Sequence, residues 1–505
     1  MLPEAFSFIP GPYQVPALAS LLLFVFLVIW YGLSWRRLSH IPGPPLASLS
    51  YLWMLRIARS GEQSARYAHI NAKYGSLARI GPNELIIDDP AVVRRMNAAR
   101  SPYRRSSWYS AMRLDPYQED LFSMADTAEH DLLRAKMSFG FGGKELPDVE
   151  GDIDAQVDLL VHLIRSKYLS DENGVTCPFD MAITAQYFTM DVITKLVFGK
   201  QLGFLETDSD VYNLIHSSEG PLQLQVLKSE MPLIGRIFSQ PWVLKNLGPK
   251  KTNAGGLGRI LGTAEEVVAK RFRHDAKDEM DMMGSFIRHG VTQQQCEVNT
   301  PFILVAGSDT TASAIRGTML HLATTRHAYN KLRDEIDRAV AEGRISSPVT
   351  VEEAMKLEYL QAVIYEGIRV QIPFSGLLMK EVPPEGDTIN GVFVPGGSRI
   401  AHNTLAIMRR PEIFGQDVDV FRPERWLGVS PEQKQLMVQT TELVFGYGRW
   451  SCLGKPVAFI ELNKVFVELL RRFDFEILYP KRPWRELNFN IFYHSELWMR
   501  VTGRH

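Results

Sequence analysis

One cysteine sits where its neighbours could make it do chemistry. Phe445-Gly446-Tyr447-Gly448-Arg449-Trp450-Ser451-Cys452-Leu453-Gly454 is a glycine-rich loop, and a long apolar helical pattern follows it from Lys455. A loop of that kind can present a thiolate to something large and flat. The other cysteines, Cys177 and Cys296, lie far away in the chain and show no CxxC spacing. Neither a disulfide framework nor a zinc site follows from them, and an isolated cysteine is ordinarily a small buried hydrophobe.

A second stretch reads Ala306-Gly307-Ser308-Asp309-Thr310-Thr311, in the middle of a helical pattern over 292–325. Glycine costs ~1 kcal/mol relative to alanine inside a helix. Threonine hydroxyls can bond back to the preceding turn and bend it. Such residues make either a local opening that offers a hydroxyl and a carboxylate, or a notch for helix packing; the stretch alone leaves both open. Glu366 and Arg369 stand three apart on one face of a helix predicted over 351–370. Exposed, such a pair contributes only ~0.3–0.5 kcal/mol. Phe421-Arg422-Pro423-Glu424-Arg425-Trp426 supplies a second arginine, and a buried Glu366 between Arg369 and Arg425 would be a fixed structural node.

The surrounding pattern predicts a helix over 51–74 that ends near Gly75. A hairpin follows over 77–88, then a long loop over 101–120 rich in Arg, Tyr and Trp. His130 and Arg134 share one helical face. Residues 181–198 read as a strong apolar helix, and 221–262 are poorly patterned. Turns and short strands alternate over 387–400.

The chain has 505 residues, 45% apolar and 22% charged, with a formal net charge of −1. These are globular values, and nothing in the balance points to nucleic acid. No internal repeat or low-complexity linker divides the body. The N-terminus differs. No charged residue occurs from Ala5 to Trp35, and 15–35 is almost wholly apolar, long enough to cross a ~30 Å hydrocarbon layer. Trp30, Tyr31 and Trp35 sit where an aromatic belt would lie, and Arg36 and Arg37 follow at once. The expectation is a lumenal tail over 1–14, a transmembrane anchor over 15–35, a basic and proline-rich hinge over 36–50, and one catalytic domain over 51–505 facing the cytosol.

These segments, in this order, resemble the cytochrome P-450 family over nearly the whole chain. The anchor, Pro42-Gly43-Pro44-Pro45, the Asp309-Thr310 helix, Glu366-x-x-Arg369, the Pro423-Glu424-Arg425-Trp426 segment and the Cys452 loop carry the likeness. The wording around Cys452 and Ser101-Pro102-Tyr103-Arg104-Arg105-Ser106 is similar to fungal microsomal members, in the manner of pisatin-demethylase-like enzymes of secondary metabolism. The resemblance implies a mainly α fold with small β-sheets. It implies a haem (heme b, iron protoporphyrin IX) held through the Cys452 thiolate, with Phe445 near the sulfur and Gly448 and Gly454 letting the backbone come close. His130, Arg134 and Lys380 match positions that contact the haem propionates. Asp309 and Thr310 match the pair that supplies protons for oxygen activation, and Glu366, Arg369 and Arg425 match a structural triad.

The likeness further implies a substrate pocket from Phe302, Ala306, Phe374, Leu377, Phe489 and Phe492. Electrons would come from NADPH through NADPH–cytochrome P-450 reductase, docked near Lys136, Arg449 and Lys455. The activity implied is a monooxygenase of the endoplasmic reticulum membrane that inserts one atom of O2 into a hydrophobic small molecule. A haem-thiolate isomerase or dehydratase, and a catalytically silent membrane haem-binding protein, are the alternatives; intact Asp309-Thr310 and the Cys452 loop argue against them. One position departs from the pattern. Where the family carries Arg or His two residues before the cysteine, this chain has Trp450, which offers only its indole N–H.

Overall fold

The computed structural model describes residues 14–143, 145–171, 175–253 and 256–504. The expected lumenal tail lies, but for Gln14, outside them. A helix spans Gln14–Arg37, and its described apolar side chains, among them Leu21, Leu22, Phe26 and Ile29, are exposed. The side chains of Trp30 and Tyr31 lie outside the described residues. Among the described residues no helix is long and apolar enough to cross a membrane.

Helices dominate the body, with four small sheets among the described residues. The long helix Gln293–Thr324 runs through it. It starts where the pattern predicts because Thr292 caps it, its hydroxyl accepting from the Gln295 N–H while the Gln295 side chain returns to the Thr292 N–H. The apolar helix Met181–Phe198 packs along its middle. Almost every residue of that helix is buried, and Gly199, at φ 72°, ends it. A Cβ at Gly307 would lie 2.8 Å from Ile193 Cγ1, so the glycine is the notch that lets the two helices approach. The helix Lys455–Leu470 completes this core with Val465, Phe466 and Leu469.

The largest sheet orders Leu77–Arg79, Glu84–Ile87, Arg399–His402, Lys380–Glu381 and Arg104–Arg105. Glu84–Ile87 runs parallel to Arg399–His402 and the other pairs are antiparallel. Its register sets Arg105 directly opposite Lys380, which matters for the site below.

Several predicted spans divide. Residues 51–74 form two helices, Leu52–Ala58 and Gln63–Tyr74, because the chain turns through Gly61 at φ 70°. The predicted helix over 351–370 is Val351–Met355 followed by Glu358–Val370. The weakly patterned stretch 221–262 holds the end of helix Leu214–Glu230, helices Pro232–Phe238 and Pro241–Leu247, and the start of Gly256–Arg271. Prolines at the first positions of two of them punctuate the run, which hides its period in the sequence.

Candidate functional site

Cys452 stands just ahead of the helix Lys455–Leu470, in a loop folded by its own backbone. The Cys452 N–H donates to Phe445 O at 2.6 Å, and the Gly446 N–H to Leu443 O at 3.0 Å. The residue lies deep inside the protein, yet its own surface is open, because its side chain faces an internal cavity. Burial pushes the thiol upward; the backbone N–H groups of Gly454 and Lys455 and the charges of Arg134 and Lys455 oppose that rise. These four influences favour a thiolate once a cation ligates it.

The cavity has a volume of about 300 Å3. Phe445, Gly454, Thr310 and Ala306 line it beside Cys452, and Phe302 and Phe374 line it further out. Phe122, which the sequence reading passed over, stacks on Phe302 with centroids 5.2 Å apart and meets Phe374 edge-on. It follows the predicted loop by two residues, and its aromatic ring was the only sequence signal available. Leu377, Phe489 and Phe492 do not line the cavity. They are buried in hydrophobic clusters elsewhere, and Ile491 reaches the cavity in their place. Gly448 also lies outside the lining. At φ 61°, a Cβ there would meet Asn97 O at 2.5 Å, so this glycine seats the loop against helix Pro90–Asn97. At Gly454 a Cβ would meet Cys452 Sγ at 3.8 Å, an ordinary contact.

The Asp309–Thr310 pair divides between two sides of the long helix. Thr310 lines the cavity, and its hydroxyl donates back to Ala306 O at 2.8 Å, the local bond that opens such helices. Asp309 is buried on the far side, where its Oδ1 accepts from Gln186 Nε2. Gln186 Oε1 in turn accepts from Arg316 Nη2 at 3.3 Å, and Arg316 is itself buried. Neither Gln186 nor Arg316 carried a motif in the sequence.

Trp450 is the centre of a cationic cluster. Arg105 Cζ and Lys380 Nζ each lie 4.0 Å from its ring centroid, and the His130 ring lies 4.4 Å away. Arg105, His130 and Trp450 line the cavity; Lys380 stands behind that surface, wholly buried. Burial pushes the Arg105 guanidinium down to about 10 and the His130 imidazole down to about 4. Burial and the charges of Arg105 and Arg449 hold the Lys380 ammonium well below its ordinary value. Lys380 Nζ and Arg105 Nε have no hydrogen-bond partner among the described residues. Two desolvated cations side by side, with donors to spare, fit a ligand that brings carboxylates. Arg134 is committed to the loop, donating to Ser451 O at 2.6 Å and to Ser451 Oγ at 3.0 Å.

Glu366, Arg369 and Arg425 come together as one buried node. Arg369 donates to both Glu366 oxygens at 2.8 Å, and Arg425 Nε donates to Oε1 at 2.8 Å. Trp426 Nε1 and the Arg422 N–H complete the set. Burial pushes the Glu366 carboxyl up, but the bonds and charges of Arg369 and Arg425 outweigh it and hold the group below its ordinary range. Of the cations expected to meet a partner protein, Arg449 pairs with Asp131, Lys455 with Glu442, and Lys136 donates to Gly290 O.

The cytochrome P450 family profile matches residues 42–497. The chain belongs to the cytochrome P450 family. It is 49% identical over 487 residues to the cytochrome P450 monooxygenase ABA1 of Pyricularia oryzae, covering 95% of each chain. It is 42% identical to aba1 of Botryotinia fuckeliana, over 92% of each. It is 38% identical to abl1 of Leptosphaeria maculans, over 88% of this chain and 80% of that one. These relatives are fungal, as the motif wording predicted. A cytochrome P450 carries a haem, and this one is an oxygen-incorporating oxidoreductase with a small-molecule substrate and a redox partner.

Proposed function

We propose that this P450 is a membrane-anchored monooxygenase of fungal secondary metabolism, whose haem is ligated by Cys452 and whose substrate is a hydrophobic small molecule. The observation that carries the reading is the sulfur of Cys452 opening into a cavity walled by Phe122, Phe302 and Phe374. Bound haem would supply oxygen activation, with the thiolate donating electron density that favours O–O cleavage. Arg105 would receive an anionic side group of the macrocycle at the cavity wall, with the His130 and Trp450 rings beside it and Lys380 adding its charge from behind the Trp450 ring. Arg134 holds the carbonyl of Ser451 and so fixes the loop from which the sulfur projects. Thr310 offers a hydroxyl at the cavity wall and would hold a proton there, Asp309 on the far side of the helix against Gln186 would relay protons toward it, and the apolar wall excludes water.

The anchor over 15–35, the hinge over 36–50 and the catalytic domain over 51–505 complete the proposal. In it the protein resides in the endoplasmic reticulum membrane with the domain in the cytosol. NADPH electrons arrive through NADPH–cytochrome P-450 reductase on the face that bears Arg449 and Lys455. The apolar run of 15–35 followed by Arg36 and Arg37 supports the orientation.

Reduction of the purified protein under carbon monoxide tests the ligand. The wild type is expected to give the thiolate-type Soret band and Cys452→Ala to lose it. Identical spectra would end the assignment.

A further inference from the structure

The outer part of the cavity is apolar, with Met112, Leu114, Leu121, Phe122, Phe302 and Phe374 among its walls. Gln225, on helix Leu214–Glu230, breaks that pattern. It lines the cavity and is 2% exposed. Its Nε2 donates to Arg113 O at 3.0 Å, which fixes the orientation of the amide. Its Oε1 has no hydrogen-bond partner among the described residues. Among the other polar side chains of the wall, Arg105 Nε and Glu461 Oε2 also lack a hydrogen-bond partner among the described residues, whereas Asn299, Thr310 and Arg134 are occupied. Asn299 accepts from the Leu121 N–H and donates to Gln295 O, both at 2.8 Å. Thr310 donates to Ala306 O, and Arg134 is held by Ser451.

A buried carbonyl oxygen left without a donor is costly, so its persistence in an apolar wall calls for a ligand that supplies one. We infer that Gln225 is a specificity-determining residue whose Oε1 accepts a hydrogen bond from a hydroxyl or N–H group on an otherwise apolar substrate. The inference rests on the cavity beside Cys452 being the substrate pocket. The chemistry of the acceptor narrows the class. A carbonyl oxygen attracts a donor and repels an ether or carboxylate oxygen. Cys452 and Gln225 belong to different segments of the wall, so a substrate held at Gln225 presents one stretch of its skeleton to the reacting centre. The hydrogen bond therefore governs regiochemistry as well as affinity.

The test uses the haem-loaded protein and a matched pair of probes, dodecanol and its methyl ether, titrated by the Soret band. Wild type is expected to bind the alcohol about tenfold more tightly than the ether, the fold-change of one neutral hydrogen bond. Gln225→Leu is expected to abolish that preference while changing the affinity for the ether less than about twofold. Gln225→Met, which keeps length and helix propensity, is expected to behave like Gln225→Leu, and the carbon monoxide spectrum reports on the fold of each variant. A normal thiolate band with equal affinities for the two probes in wild type, or equal loss of both in the variants, overturns the assignment of Gln225 alone. A wild type without the thiolate band overturns the pocket reading and this assignment with it.

Discussion

Glu366→Gln is a near-isosteric change at a place where charge, not shape, holds the structure. Oε2 accepts from Arg369 Nε and Trp426 Nε1; Oε1 accepts from Arg369 Nη2, Arg425 Nε and the Arg422 N–H. Both oxygens see only donors. An amide must place its NH2 against donors whichever way it is turned, and two guanidinium groups at 0% and 2% side-chain exposure lose their counter-charge. Breaking a buried pair from one side costs ~3–5 kcal/mol, a large share of the ~5–15 kcal/mol that holds a folded protein. Glu366→Gln is therefore expected to lower the urea midpoint sharply and to reduce haem retention on expression at ordinary temperature. The pH dependence has a definite sign. The folded carboxyl lies below its ordinary range, so its stabilisation is complete above the unfolded value of ~4.3 and is lost as pH falls through the lower folded value. The variant should lack that acid-side loss. A variant within ~1 kcal/mol of wild type by urea unfolding, with wild-type acid behaviour, would refute the reasoning.

Lys380→Met removes a buried ammonium that has no hydrogen-bond partner among the described residues, and is expected to stabilise the haem-free protein by ~1–3 kcal/mol in urea unfolding. Because the folded ammonium titrates well below its ordinary value, wild-type haem-free stability should rise with pH from that folded value up to ~10.4, and the variant should not show this rise. Gly307→Val drives a branched side chain into Ile193 and should cost ~1–3 kcal/mol with visible loss of haem binding; an unchanged midpoint would show that the helices can part freely. Thr310→Ala loses only a local bond to Ala306 O, so the carbon monoxide spectrum should be retained while NADPH consumption separates from product formation; unchanged coupling would remove its proton-handling role.

Much of the frame was legible because local rules wrote it. The long helical pattern over 292–325, the apolar helix 181–198 and the Glu366 spacing each carried their own signal. What the sequence hid was juxtaposition. Arg105 looked like one of many charges in a loop; only sheet register sets it opposite Lys380 and places both over Trp450. Trp450 itself looked like a lost propionate contact, and it is instead the ring against which two other cations are packed. Phe489 and Phe492 suggested a pocket by their apolarity; alternation along the strand Ile491–Ser495 turns Phe492 away from the face of Ile491, while Phe489, opposite Ile491 in the register, packs on Ala58 and Val226. Gln225 gave no signal, since a lone glutamine in a weakly patterned helix is ordinarily solvated.

The bonds from Arg134 to Ser451 join positions 317 residues apart. During synthesis the N-terminal partner waits while most of the chain is still being made. The cysteine loop is fastened only when both partners have been made, so this contact forms long after the helix that carries Arg134. A ribosome stalled before residue 451 would carry most of the described helices with Arg134 still lacking this contact.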